Sequence, residues 1–330
     1  MAHRRQLATG GGCAARLESR SGKDKEMPTL VAARNWETWL KNSIGPASDT
    51  EQADAERTEK RIRSAIEADP RLAGKVRIFV KGSYANNTNV RRDSDVDIAV
   101  EWNSWAFISR VNDARSYSWD QLGVSTTDRG PEPAEYRRWV EEALTAAFGG
   151  AKVDTSGNKA ITVVRNTNTL DADVVPCFQH KRYDGPGRTP HIGIRLYPRK
   201  GGIVENWPEQ NRINGNQKNR ETSYRYKQIV RALKRLENDM VAVGLLRSEV
   251  HGFFIECLLY NLPNHVFGYQ TYKQTMLEVL AKLWNEINDG RHHDWVEVNG
   301  LKWLWRDGQS WTDEEAAEFA KKAWNYIKGN

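Results

Sequence analysis

The stretch Lys81-Gly82-Ser83-Tyr84 is followed, after a polar segment, by Asp95-Val96-Asp97-Ile98-Ala99-Val100. Apolar and polar side chains alternate before Gly82 and again after Asp95, and this period of two predicts two β-strands. Asp95 and Asp97 are two residues apart on the second strand, so their carboxylates project from the same face of the sheet. Two carboxylates held side by side repel each other unless a cation lies between them, so the pair predicts a cation site.

The Gly82-Ser83 turn ends the first of these strands. Because glycine has no Cβ, backbone N–H groups at such a turn can approach a phosphate with no side chain in the way. The Ser83 hydroxyl is one more donor. A turn of this kind beside paired aspartates is typical of phosphoryl-transfer sites, which hold two Mg²⁺ ions about 3.5–4 Å apart. One ion activates the attacking hydroxyl and the other holds the triphosphate; Mn²⁺ is the alternative metal.

A third carboxylate is expected from a neighbouring strand. The run Leu170-Asp171-Ala172-Asp173-Val174-Val175-Pro176 is otherwise apolar, and an acidic residue inside such a strand is costly unless a metal or a donor satisfies it. Asp171 and Asp173 lie on the same face, so periodicity does not choose between them.

The rest of the chain predicts an α+β fold. Strand periodicity occurs in four segments, residues 76–81, 96–100, 161–164 and 170–177, the last two forming a hairpin. Helical periodicity occurs at residues 32–69, 132–148, 222–240, 253–262, 275–287 and 313–327. Helices dominate after residue 222, so we expect a catalytic core over residues 28–205 and a helical domain over residues 206–330. The expected architecture is a twisted mixed sheet with flanking helices, packed against the helical domain.

Positive charge is concentrated in one part of the chain. The net charge is +6, but residues 181–235 contain fourteen basic and four acidic side chains, an excess of +10. Such a segment favours a phosphate-rich partner, either nucleotides or nucleic acid, over a merely solvated surface.

Residues 1–26 contain six basic and three acidic side chains and many Gly and Ser. They lack hydrophobic periodicity, so we expect residues 1–27 to form a flexible basic tail.

Composition excludes several other classes of protein. No stretch approaches the ~18 uncharged apolar residues of a membrane span, and no apolar run follows the first basic residues as in a secretory signal. Cys13, Cys177 and Cys257 are odd in number and far apart, which argues against a disulfide framework and a zinc site. We therefore expect a cytoplasmic protein that has no membrane partner.

Two polar features carry no expected chemistry. His292-His293 precedes Asp294, but adjacent histidines point in different directions, so a loop surface is favoured over a metal site. Glu256 lies within the apolar run of residues 253–258 and is expected to anchor neighbouring helices.

Together, Gly82-Ser83, Asp95-Val96-Asp97 and Asp173-Val174-Val175-Pro176 resemble the DNA polymerase β-like nucleotidyltransferase superfamily. Within it, the chain resembles the cGAS/DncV-like nucleotidyltransferases (CD-NTases), which are relatives of the oligoadenylate synthases. The resemblance to the CD-NTases in particular comes from residues 207–222 and from residues 226–235, which follow them. Residues 226–235 are similar to the spine helix of the family. The resemblance covers about residues 30–270.

The resemblance implies roles for named residues. It places the third metal ligand at Asp173 rather than Asp171, and it makes Lys234, and less directly Arg231, the candidates for binding the donor triphosphate. Lys227, Arg231 and Lys234 fall on one helix face by their spacing. Three cations on one face suit a groove that holds a triphosphate, although a solvated basic face is the alternative.

The resemblance also implies an activity. A ribose hydroxyl of one nucleotide attacks the α-phosphate of another and pyrophosphate leaves; a second attack closes a cyclic di- or trinucleotide. The substrates would be nucleoside triphosphates, ATP first, with GTP or a pyrimidine triphosphate as further candidates. In bacterial relatives the product activates an effector protein in anti-phage defence. No nucleic acid would be obligatory.

Three other functions stay open. The basic segment would also suit template-independent RNA tailing or oligoadenylate synthesis. RNA tailing would make the activity depend on a supplied RNA primer. A transferase that adds one nucleotide to a protein or a small molecule shares Gly-Ser and Asp-x-Asp but usually lacks a long helical domain. A non-catalytic nucleotide-sensing or RNA-binding module has no reason to keep three clustered aspartates.

Overall fold

The structure contains seven strands and nine α-helices among the residues that it describes. The computed structural model describes residues 34–90, 95–124, 130–306 and 308–329. The strands are β1 (Val76–Val80), β2 (Val96–Arg110), β3 (Val153–Asp154), β4 (Ile161–Val163), β5 (Ala172–Tyr183), β6 (His191–Leu196) and β7 (Val204–Asn206). The helices are α1 (Trp36–Ser43), α2 (Asp49–Glu67), α3 (Gly82–Asn86), α4 (Pro133–Phe148), α5 (Pro208–Glu221), α6 (Arg225–Ala242), α7 (Gly252–Tyr260), α8 (Tyr272–Asn288) and α9 (Asp313–Lys328).

The sheet is mixed, with the strand order β1-β2-β5-β4-β3. β1 runs antiparallel to β2, whereas β2 and β5 are parallel neighbours in the centre of the sheet. β4 pairs antiparallel with the start of β5, which confirms the predicted hairpin. β6 pairs with the far end of β5, and β7 pairs with β6. The start of β5 is therefore bracketed by β2 and β4.

The alternation along β2 divides its side chains between two buried clusters, one on each face of the sheet. Val96, Ile98 and Val100 join a buried cluster with apolar residues of α2 and α4. On the opposite face, Ala99 packs in a smaller cluster with Val175, Cys177, Ile194 and Leu196. Asp95 and Asp97 share that second face, because side chains two apart point the same way.

A second core is helical. The apolar stripe of α6 is buried against residues of α7, α8 and α9, as the period of 3.6 predicts. Trp36 and Leu40 of α1 belong to the same cluster, although α1 precedes the sheet in the chain. The apolar face of α1 therefore packs with the helices that follow the sheet.

Some expectations fall outside the described residues, and one is wrong. The predicted tail of residues 1–27, with Cys13, is not among the described residues. His292 is not on a loop surface: its side chain is buried, and Nε2 lies 2.7 Å from Asp313 Oδ2. Among the described residues, no helix has the length and apolar character needed to span a membrane.

Candidate active site

Parallel pairing of the two central strands brings the predicted carboxylates together. Asp97 of β2 is in register with Asp173 of β5. Asp95 immediately precedes β2 and is exposed. On the other side, the backbone N–H of Lys81 donates to the carbonyl of Asp97 (2.9 Å), so the end of β1 lies against the same point. All three aspartates thus lie at one end of the central strand pair.

The charges of these aspartates act on one another. The pKa of Asp95 is raised above its ordinary value, first by partial desolvation of its carboxyl group and then by the negative charges of Asp173, Asp171 and Asp97, while Arg165 opposes the shift. A carboxylate whose neighbours resist its ionisation lies where a bound cation would be stabilised.

Two aspartates of this group already have protein partners. Lys81 Nζ donates to Asp97 Oδ1 at 2.9 Å, and Thr162 Oγ1 donates to Asp173 Oδ1 at 2.8 Å. In this arrangement the described residues contain no group of three or more His, Cys, Asp or Glu side chains gathered closely enough to hold a metal. The donor set itself still fits a hard divalent cation, because it consists of carboxylate oxygens that repel one another.

Asp171 has a different environment from Asp173. Its carbonyl accepts from the backbone N–H of Val96 (2.8 Å), and its Oδ1 accepts from the backbone N–H of Arg165 (2.7 Å). Arg165 Nε is 3.7 Å from Asp171 Oδ2. Asp171 therefore stabilises the turn of the β4–β5 hairpin. Periodicity alone did not distinguish Asp171 from Asp173, because residues two apart lie on the same face of a strand.

Gly82 lies against Asp97. Its φ is +67°, and a Cβ added there would come within 2.2 Å of Asp97 Oδ2. The Asp97 carboxylate therefore occupies the space that a side chain at position 82 would need. Ser83, the next residue of α3, accepts a hydrogen bond at its carbonyl from the backbone N–H of Thr88 (2.9 Å).

The three cations of α6 are buried rather than solvated. Lys227 Nζ donates to Asn216 Oδ1 at 2.6 Å. Arg231 donates to two backbone carbonyls, and burial lowers its pKa to about 10. Lys234 Nζ lies 2.7 Å from Glu256 Oε1. The solvated alternative therefore does not hold; the structure places these side chains in the interior, engaged with protein groups.

His251 was not singled out from the sequence. His251 precedes α7 and accepts at Nδ1 from the backbone N–H of Phe253 (3.3 Å). Its pKa is lowered, first by burial and then by the charges of Lys234 and Lys159, whereas Asp97 acts in the opposite direction. The N-terminal end of α7 thus lies within electrostatic reach of the carboxylates. A lone histidine in the sequence carries no signal of this.

Two family models match the chain. The model of the cGAS/DncV-like nucleotidyltransferase C-terminal helical domain matches residues 213–328, and that of the nucleotidyltransferase domain matches residues 60–171. The cyclic dipyrimidine nucleotide synthase CdnE of Legionella pneumophila is 35% identical over 310 residues, which cover 90% of this chain and 99% of that protein. The cyclic dipurine nucleotide synthase of Elizabethkingia meningoseptica is 34% identical, with coverages of 88% and 98%.

Solved structures give the same result. The Elizabethkingia meningoseptica CdnE cyclic dinucleotide synthase with GTP and Apcpp has a TM-score of 0.74 at 33% identity, covering 88% of this chain and 98% of its own. The Rhodothermus marinus CdnE c-UMP-AMP synthase with Apcpp and Upnpp has a TM-score of 0.76 at 28% identity, with coverages of 89% and 96%. The predicted fold class and family are confirmed. This chain belongs to the cGAS/DncV-like nucleotidyltransferases, the CD-NTases, and is a nucleotidyltransferase.

Proposed function

We propose that this enzyme condenses two nucleoside triphosphates into a cyclic dinucleotide, with release of pyrophosphate. The observation that carries the proposal is the register of Asp97 with Asp173, beside Asp95 and Gly82, in a chain that aligns over nearly the whole length of cyclic nucleotide synthases. Those relatives are named for dipyrimidine and dipurine products, so the choice of bases varies among similar chains. ATP, GTP and pyrimidine triphosphates are all candidate substrates.

We assign metal binding to the aspartates and binding of the donor phosphates to the Gly82-Ser83 turn. Nucleotidyltransferases of this kind typically depend on divalent metal; we propose two Mg²⁺ ions, with Mn²⁺ as a substitute, held by Asp95, Asp97 and Asp173. When bound, such ions neutralise the triphosphate and lower the pKa of the attacking hydroxyl. Gly82 leaves room for the Asp97 carboxylate, and Ser83 offers a hydroxyl to the donor phosphates. Orientation of the two nucleotides supplies much of the remaining rate enhancement.

The contacts of the basic segment support nucleotides over a nucleic-acid track. Several of its cations are used within the protein: Arg182 pairs with Asp184, Arg195 with Glu205, and Lys234 with Glu256. Such residues are not a continuous row of cations open to a phosphate backbone. We therefore propose that no nucleic acid is obligatory. Two further proposals rest on the family resemblance: the product is recognised by an effector protein, and the enzyme is cytoplasmic.

We also propose the division into a catalytic core of residues 28–205 and a helical domain of residues 206–330. The two clusters of buried side chains support it. α1 is the exception, since its apolar face belongs to the helical cluster. Within the helical domain, Lys234 and Arg231 remain candidates for the donor triphosphate, although neither side chain is exposed.

The central experiment identifies the product. The protein is incubated with all four nucleoside triphosphates and Mg²⁺ or Mn²⁺, treated with phosphatase, and analysed by mass spectrometry. We expect phosphatase-resistant cyclic dinucleotides, whose masses give the bases and the ring size. The apparent KM for nucleoside triphosphates should vary little between about 50 and 200 mM salt. A nucleic acid bound through six to ten phosphates would instead lose ~10³–10⁵ in affinity over this range. A requirement for RNA, or a steep salt dependence, would favour RNA tailing instead.

Asp173 and Asp171 should respond differently to truncation. We expect Asp173→Ala to be inactive, because its carboxylate lies in register with Asp97. Asp171→Ala should keep substantial activity and lose some thermal stability, because its carboxylate fastens the hairpin turn through Arg165. Initial rates and melting temperatures of the two variants are compared. Loss of activity only in Asp171→Ala would refute the assignment of the third ligand.

A further inference from the structure

A short segment connects the phosphate turn to the helical core. Thr88 follows α3 and is 1% exposed. Its backbone N–H donates to the carbonyl of Ser83 (2.9 Å), and its hydroxyl donates to Glu256 Oε1 (2.7 Å). Asn86 Nδ2 lies 3.4 Å from the other oxygen, Glu256 Oε2. One side chain of α7 thus contacts two residues that follow the Gly82-Ser83 turn.

The same segment is held from α6. Lys234 Nζ donates to Glu256 Oε1 (2.7 Å) and to the carbonyl of Thr88 (3.2 Å). Arg231 donates to the carbonyl of Asn87 (2.6 Å). Lys234 and Glu256 are 6% and 4% exposed. Charged groups buried to this degree are tightly constrained, because a buried charge that loses its partner or its hydrogen bonds is strongly destabilising.

We infer that Glu256 is a positioning residue for nucleotidyl transfer, which fixes the Gly82-Ser83 turn against Asp97 through the hydroxyl of Thr88. The path is continuous: Lys234 orients the carboxylate, the carboxylate orients Thr88, and Thr88 N–H fixes the carbonyl of Ser83. Gly82 lies at the other end of this path, with no room for a Cβ beside Asp97 Oδ2. The inference rests on the proposed role of this turn in holding the donor triphosphate.

Loss of the Thr88–Glu256 hydrogen bond should affect the position of the Gly82-Ser83 turn more than the affinity for triphosphates. A misplacement of about 1 Å can cost on the order of 10²-fold in rate. If Thr88 loses its bond to Glu256, the turn can shift relative to the carboxylates while both strands stay in place. The effect should therefore appear more in kcat than in the KM for triphosphates.

The test uses the full chain and substitutions at Thr88. Thr88→Val keeps the side-chain shape and the backbone N–H but removes the hydroxyl. We expect kcat to fall about 10- to 100-fold, the range that a displaced turn would produce, with a smaller change in KM. Thr88→Ser restores the hydroxyl and should recover kcat to within about threefold. Glu256→Gln should lower kcat in the same way, because the neutral amide no longer balances Lys234.

A buried carboxylate outside this path provides the control. Glu297 is 3% exposed, and its partners Lys302 (3.1 Å) and Asn299 (2.7 Å) are not among residues 86–89. Glu297→Gln should lower the melting temperature and leave kcat per folded molecule unchanged. The inference is overturned if Thr88→Val keeps wild-type kcat, or if Thr88→Ser fails to rescue a folded protein. Wild-type chain that forms no cyclic product would instead overturn the proposed function, as this test presupposes that product.

Discussion

Replacement of both Asp95 and Asp97 by asparagine should reduce turnover to less than about one thousandth of the wild-type value, a loss of roughly 4 kcal/mol in barrier terms. Both carboxylates lie where the end of β1 meets the central strands, and Asp173 adjoins Asp97 in the sheet. Asparagine keeps the size of each side chain but supplies no charge to a divalent cation. Turnover is measured as phosphatase-resistant product formed at saturating triphosphate and Mg²⁺.

The same double variant should stay folded. The raised pKa of Asp95 means that its ionised form costs stability near neutral pH, so a neutral side chain there relieves repulsion. Asp97→Asn weakens the partly exposed pair with Lys81, and such pairs contribute about 0–1 kcal/mol. The melting temperature should therefore hold or rise slightly. An inactive variant that is also unfolded would leave the loss of turnover attributable to the fold, and residual turnover above a thousandth would show that these carboxylates are not metal ligands.

Gly82→Ala should also lower turnover strongly, by about 10²-fold or more, as expected when a reacting group is displaced by an ångström or so. The new methyl group would come within 2.2 Å of Asp97 Oδ2 and 3.1 Å of its Cγ. No real Cβ contact is that short, so either the carboxylate or the turn has to move. Rates are measured with Mg²⁺ and again with Mn²⁺, since a displaced carboxylate should change the dependence on metal concentration.

Gly74→Ala is the matched control for this variant. Gly74 has a φ of +72°, close to that of Gly82, but an added Cβ would meet nothing within 4 Å. Both variants incur the left-handed backbone penalty of about 1–2 kcal/mol, so both should melt at lower temperature. Only Gly82→Ala should lose turnover. Equal activity in the two variants would mean that the contact with Asp97 has no catalytic importance.

Local patterns predicted β1, β4 and the beginnings of β2 and β5, together with the carboxylates, because these depend on period two; β3, β6 and β7 were not predicted. Val76 to Val80 and the alternation after Asp95 became β1 and the start of β2, and spacing alone put Asp95 and Asp97 on one face. The pairing of β2 with β5 could not be predicted from spacing, since it joins distant segments. Family resemblance selected Asp173, and its register with Asp97 gives a physical basis for that choice.

Elements without a clear period were harder to predict. α5 contains Gly215 and many Asn and Gln residues, so no apolar stripe indicated a separate helix. It begins with Pro208 at its first turn. Arg231 and Lys234 illustrate a second limit: helical spacing placed them on one face, but their partners, the carbonyls of Ile44, Asn87 and Thr88, belong to distant segments. Charge periodicity does not reveal whether a basic face meets a ligand or the protein itself.

The position of α1 has a consequence for how the chain folds. Trp36 packs edge-on against Tyr326 of α9 (5.0 Å between ring centroids). Arg231 reaches the carbonyl of Ile44 across 187 residues of sequence. During synthesis, α1 emerges before any of these partners exists, and the whole sheet is made in between. Contacts this distant in sequence slow folding, because loop closure is entropically costly before they form. The helical core can therefore be completed only after α9 has been synthesised, and until then Trp36 lacks its contact with Tyr326.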